Sequence, residues 1–185
     1  DGDDELTGGS QDDILIGNNP GDYDLGSGGD SGNDILIGNA GNDLLDGGMG
    51  DDTMAGGTGD DTYFEVPGSD DVLIEGGDGF GIDTINYSRA NFGISFNLGM
   101  TNTAQVVNPL APAGGQHTVE IRGNFENLVG SQFADRLTGN NFSNFLEGGI
   151  GADTLRGGAG DDLIYGGDET DPAIDESDRT LQRYR

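Results

Sequence analysis

The sequence predicts an all-β chain that coils through short strands and tight glycine turns, and three observations predict it. Apolar residues recur at a nine-residue step: Leu36, Leu45, Met54, Tyr63 and Val72, then Leu128, Leu137, Leu146, Leu155 and Ile164. An acid or amide stands two residues before each: Asp34, Asp43, Asp52, Asp61 and Asp70, then Glu126, Asp135, Asn144, Asp153 and Asp162. Glycine clusters separate the units and supply 37 of the 185 residues, against an ordinary usage of about 7%.

Composition alone points elsewhere. The formal net charge is −28, from 35 acids against 7 bases, all of them Arg. High charge with few apolar residues is the signature of a disordered chain. A disordered linker, however, has no reason to keep apolar residues in phase, and self-similarity at a fixed period marks a repeat architecture. The charge also excludes function classes. Such a surface repels phosphate backbones and anionic lipid, so neither nucleic-acid binding nor membrane insertion is expected. No apolar run approaches the ~20 residues of a spanning helix, and there are no cysteines for disulfides or thiolate metal sites. Cations are the natural partners.

One unit explains the shape. In Gly47-Gly48-Met49-Gly50-Asp51-Asp52-Thr53-Met54-Ala55, the glycines accept positive φ at little cost, so six residues can make a tight turn. Thr53, Met54 and Ala55 then form a strand whose alternation turns the middle side chain inward. Turn, strand, turn, strand makes a coil of eighteen residues, with successive turns on opposite edges.

The units resemble the RTX (hemolysin-type) repeat, G-G-x-G-x-D-x-U-x with U a large apolar residue, which folds as a calcium-binding parallel β-roll. The closest matches are Gly47 to Ala55, Gly56 to Phe64, Gly148 to Arg156 and Gly157 to Tyr165; Gly38 to Asp46 departs only at Asn39. Leu6 with Asp4, Leu15 with Asp13 and Ile85 with Asp83 keep the local spacing outside the strict register. Departures stand at Gln11, at residues 17–33, at Glu65-Val66-Pro67, at residues 76–83 and at Asn141 to Asn144. The repeats define a first roll block over 1–86 and a second over 128–171, with a β-rich segment at 87–127 between them and a tail or cap at 172–185.

Turns eighteen residues apart stack, so Asp34 lies above Asp52 and Asp52 above Asp70, while Asp43 lies above Asp61 on the other edge. In the second block Asp135 pairs with Asp153, Asp153 with Asp171, and Asn144 with Asp162, the amide making its site weaker. Calcium takes six to eight oxygens from carboxylates and carbonyls at about 2.3–2.6 Å. The resemblance implies several calcium ions between turns, held by these aspartates, by Asp13 and Asp83, and by turn carbonyls at Gly41, Gly48, Gly50, Gly57, Gly59, Gly149, Gly151, Gly158 and Gly160. The acids one position earlier (Asp12, Asp51, Asp60, Asp161) are expected to hydrogen-bond local backbone.

In the middle, Phe92, Ile94, Phe96 and Leu98 alternate with polar residues as a strand with one apolar face, Val119 and Ile121 suggest its partner, and Thr101 to Gln116 reads as a surface loop. This segment is expected to join two calcium-bound rolls through an apolar core of its own. His117, the one histidine, has no Cys or second His beside it. Neither H-E-x-x-H nor G-x-S-x-G occurs, so no catalytic role is expected.

The resemblance implies a secreted or bacterial cell-surface location, export by type I secretion, and folding on calcium outside the cell. The covalent partner is expected to be the remainder of a larger polypeptide, since Asp1 falls within a repeat. The alternatives are a calcium-stiffened adhesin or surface-layer element, with a glycan or surface partner at 87–122, or an accessory module of an extracellular enzyme.

Overall fold

A computed structural model describes residues 4–11, 13–17, 32–66, 68–76, 81–108, 116–167 and 173–174. The chain winds between two faces, and strands are numbered along it. One face is a seven-stranded parallel sheet running β2 (Ile14–Ile16), β4 (Leu44–Asp46), β6 (Thr62–Phe64), β8 (Thr84–Asn86), β12 (Asn127–Val129), β14 (Phe145–Gly149) and β16 (Leu163–Gly167). The other face begins with the parallel strands β1 (Glu5–Thr7), β3 (Ile35–Ala40), β5 (Thr53–Thr58), β7 (Asp71–Ile74) and β11 (Thr118–Arg122). It ends with β9 (Ser95–Asn97), β13 (Arg136–Thr138), β15 (Thr154–Arg156) and β17 (Ala173–Ile174). The antiparallel strand β10 (Gln105–Val106) closes the first of these two sheets against β11. Among the described residues there is no helix, and the architecture is the predicted all-β parallel β-roll.

Every three-residue strand except β1 buries its middle side chain. Leu36, Leu45, Met54, Tyr63, Ile85, Leu128, Leu137, Leu146, Leu155 and Ile164 are all at most 1% exposed. Each contributes about 1.5–3 kcal/mol by leaving water. Tyr63 replaces an aliphatic residue, and its hydroxyl accepts the Gly56 N–H and donates to the Ile74 carbonyl, both at 2.7 Å. Its ring meets Phe125 edge-on at 5.1 Å.

One register expectation is corrected. Met54 pairs with Leu73, not Val72, and Thr53 pairs with Val72. Leu73 is fully buried while Val72 is only partly so. The turn between β6 and β7 holds one residue more than the nine-residue step allows, and a one-residue shift exchanges the two faces of a strand.

The middle segment also differs from expectation. β9 does not pair with β11. It lies parallel to β13, matching Phe96 to Leu137, while β11 lies parallel to β7. The expected loop contains β10, the buried Val107 and a bridge from Thr101 to Ile121. Gln105 joins the two sheets of this face. Its amide accepts the Asn97 N–H and donates to the Asn97 carbonyl, both at 2.9 Å, as a neighbouring peptide would. Nor is the apolar core here separate: Ile94, Phe96, Leu98, Val119 and Ile121 belong to one cluster with the repeats. The chain leaves the seven-stranded face after β8 and returns at β12, which pairs directly with β8.

Candidate metal centre

The turns form two edges of the roll, and on both the sixth-position acids build a ladder. On one edge Asp34 N–H donates to Asp52 Oδ1 at 2.8 Å and Asp52 N–H to Asp71 Oδ1 at 2.9 Å. On the other, Asp43 donates to Asp61 at 2.8 Å, Asp61 to Asp83 at 2.9 Å and Asp83 to Glu126 Oε2 at 3.0 Å. Asp13 N–H joins the second ladder through Asp43 Oδ1. In the second block Asp135 donates to Asp153 and Asn144 to Asp162, both at 2.8 Å. Asp34, Asp43, Asp52, Asp61, Asp83, Asp135, Asp153 and Asp162 are each between 1% and 4% exposed. One carboxylate oxygen thus binds the coil before it. The other sits under the first glycine of its own turn: a Cβ at Gly38, Gly47, Gly56 or Gly148 would come within 3.0 Å of the Oδ2 of Asp43, Asp52, Asp61 or Asp153.

The glycines supply the rest. All nine predicted as carbonyl donors, Gly41, Gly48, Gly50, Gly57, Gly59, Gly149, Gly151, Gly158 and Gly160, have positive φ. Coils approach so closely at Gly57 and Gly59 that a Cβ there would fall within 3.0 Å of the Asn39 and Gly41 carbonyl oxygens. In the second block the carbonyls of Ser131, Phe133, Asn140 and Phe142 face Gly149, Gly151, Gly158 and Gly160 in the same way. The gap between successive turns is therefore lined with oxygen.

Asp70 is the misplaced aspartate. The extra turn residue puts Asp71 in the ladder at 4% exposure and moves Asp70 to the outer surface. There Asp70 belongs to a second ladder. Asp51 N–H donates to Asn33, Asp70 N–H to Asp51 Oδ1, and Thr118 N–H to Asp70 Oδ1, at 2.8–3.0 Å. Asp60 and Ile82 repeat the pattern on the other edge. Asp51 and Asp60 do hydrogen-bond backbone through their carboxylates, but that of the neighbouring coil. Asp171 and Asp12 lie outside the described residues. Sequence reasoning passed over Asp71, Glu126 and Asn39 as site residues. Glu126 was visible, two residues before Leu128, and Asn39 holds the second-glycine position at φ 80°, a conformation asparagine tolerates better than most residues. His117 contributes its backbone carbonyl to Val107.

Burial is the first cause of a raised pKa at six ladder acids, and at all of them but Asp135 neighbouring carboxylates add to it. Asp52 is pushed up to about 7, Asp61 to about 6, Asp71 to about 6 and Asp83 to about 7; Glu126 and Asp135 are raised as well. Without a cation the folded chain thus holds protons that the unfolded chain releases near its ordinary value of 3.8. The protonated ladder's stability is fully present below about pH 4 and is lost as pH rises through about 7. In calcium-free buffer the thermal midpoint is therefore expected to be higher at pH 5 than at pH 8, by circular dichroism. A metal-free roll that gains stability with rising pH would contradict this. Calcium competes for the same oxygens, so its apparent affinity should rise across that interval.

Among the described residues no three His, Cys, Asp or Glu side chains already converge as a metal-binding group. The donor set is instead paired carboxylates with backbone carbonyls. All are hard oxygens, and this chemistry fits calcium, which accepts irregular shells of six to eight. Fold and turns together define a calcium-binding parallel β-roll. Residues 1–19, 28–63 and 138–171 match the RTX calcium-binding nonapeptide repeat in four copies. Those stretches carry the RTX calcium-binding repeat, and repeats of this kind bind calcium ions. No curated protein matches the chain.

Proposed function

We propose that this chain is a calcium-triggered folding element of a larger exported protein, held by the ladder aspartates and the turn carbonyls between them. The observation that carries the reading is the stack of buried carboxylates hydrogen-bonded from coil to coil, with Asp52, Asp61, Asp71 and Asp83 raised in pKa by burial. Such a stack repels itself unless a cation enters, so binding energy becomes folding energy. Extracellular calcium modules bind at about 10⁻⁴–10⁻³ M. A chain tuned to that range stays uncoiled in calcium-poor cytosol, passes an export channel extended, and coils outside. RTX repeats are typical of secreted proteins, and no helix among the described residues is long and apolar enough to cross a membrane.

The test is a calcium titration of β structure. Asp52 stands between Asp34 and Asp71 in the ladder, so Asp52→Ala is expected to raise the midpoint about tenfold or more, equivalent to ~1.4 kcal/mol. Asp51→Ala removes only an exposed bond to Asp70 and should move it much less. Equal shifts would place the ligands in the outer ladder instead.

A further inference from the structure

The coil from Gly130 to Asn144 lies at the start of the second roll block, and both of its turns depart from the nonapeptide alike. Phe133 and Phe142 stand where a fourth-position glycine is expected. Among the described residues only Asn39 and Asn102 take positive φ without being glycine, so neither phenylalanine adopts the turn conformation of Gly50 or Gly59. Polar side chains close these two turns instead. On one edge Asp135 faces Ile94, an apolar residue at the preceding coil's ladder position. The Asp135 carboxylate accepts the Ile94 N–H at 2.7 Å, the Ser131 N–H at 2.6 Å and the Ser131 hydroxyl at 2.8 Å. The Ser131 oxygen in turn accepts the Phe133 N–H at 3.0 Å. Three donors thus satisfy one carboxylate, and the preceding turn, Asn91 to Ile94, carries no acid.

On the other edge two amides close the turn, and residues 139–144 contain no acid. Asn144 Nδ2 donates to the Glu126 carbonyl at 2.9 Å and to Asn140 Oδ1 at 3.1 Å. Asn140 Nδ2 donates to the Phe125 carbonyl at 2.8 Å, while its Oδ1 accepts the Phe142 N–H at 2.9 Å. This rung runs backwards. In the regular ladder the earlier coil's N–H donates to the later coil's carboxylate, as Asp43 does to Asp61. Here the later coil's amide donates to the earlier coil's carbonyl, and the Glu126 N–H turns to the Asp83 carbonyl at 3.2 Å. Oxygens that face oxygens need a cation between them; an amide nitrogen, with two N–H donors, needs none.

We propose that this coil joins the one before it without calcium, the donors of Ser131, Asn140 and Asn144 taking the part that a cation plays between regular turns. Asn144 is then a donor rather than a ligand, and it sets where the roll takes no ion. Calcium sites fall into two sets, one before this joint and one after it, where Gly149, Gly151, Gly158 and Gly160 again face carbonyls. The inference rests on the calcium reading above, and the variants below separate the failure of one from the failure of the other.

The test counts calcium bound by the full chain, by equilibrium dialysis in saturating calcium, for the parent, Asp52→Ala, Ser131→Ala and Asn144→Ala. Both joint variants, Ser131→Ala and Asn144→Ala, are expected to bind as many ions as the parent. Their thermal midpoints should fall by about 2–4 °C for each hydrogen bond lost. Asp52→Ala is expected to bind at least one ion fewer. An ion lost in either joint variant would overturn the proposal and make the joint a calcium site. So would parent-like thermal midpoints in both, because the hydrogen bonds would then hold nothing. Should Asn144→Ala fail to coil, Ser131→Ala decides by the same two readings. A count that Asp52→Ala leaves untouched overturns the ladder reading alone; a parent chain that binds no calcium overturns both.

Discussion

With calcium withdrawn by a chelator, the chain is expected to lose its parallel sheets and expand toward the ~46 Å radius of gyration of an unfolded chain of 185 residues. The reason lies in how little each unit buries. A nonapeptide contributes one inner side chain, about 1.5–3 kcal/mol, while ordering each backbone residue costs ~1–2 kcal/mol, most for glycine. Hydrogen bonds narrow the gap at about 0.5–1.5 kcal/mol apiece, but stacked carboxylates and a net charge of −28 widen it again. Circular dichroism and small-angle scattering, in chelator and then in millimolar calcium, measure the change. Magnesium should not restore the fold, because it dehydrates reluctantly and demands octahedral geometry. Identical β spectra with and without calcium would sink the coupling.

Replacing Phe96 by Asp is expected to lower the stability of the whole calcium-bound roll in one cooperative transition. Phe96 is 3% exposed, its ring centroid lies 5.5 Å from that of Tyr87, and its strand pairs with β13 of the second block. Losing such a ring costs roughly 3–5 kcal/mol, and a buried unpaired carboxylate costs more. Solenoid units are coupled through nearest-neighbour interfaces. The seven-stranded face runs from β2 to β16 through the β8–β12 pair, so damage should spread to both blocks. Scanning calorimetry in saturating calcium measures it. Two separated transitions with an unchanged calcium count would show instead that each block folds alone and the middle segment is only a joint.

The repeat itself was legible because its information is local. Glycines at positive φ, an aspartate four residues after the first of them and an apolar residue two beyond that carry turn, ladder and core within one unit. The coil, the two edges and the pairing of Asp34 with Asp52 and Asp43 with Asp61 follow from repetition alone. Where one residue was inserted, the pattern misled: Val72 and Asp70 keep the nine-residue step, yet Leu73 and Asp71 take the core and the ladder. Period counting cannot tell which side of a turn absorbs an insertion; the flanking strand's registry with β5 decides that. The middle segment was legible only as apolar alternation. Which strands it would meet was decided by contacts far apart in sequence, Phe96 with Leu137 and Val72 with Glu120. The burial of Glu65 and Tyr87 was likewise invisible, since exposure depends on what the neighbouring coils cover. Sequence by itself determined the class of fold, the metal and most of the ladder positions, because those live within nine residues; only tertiary structure decided the register and the company of the irregular residues, because packing between coils sets both.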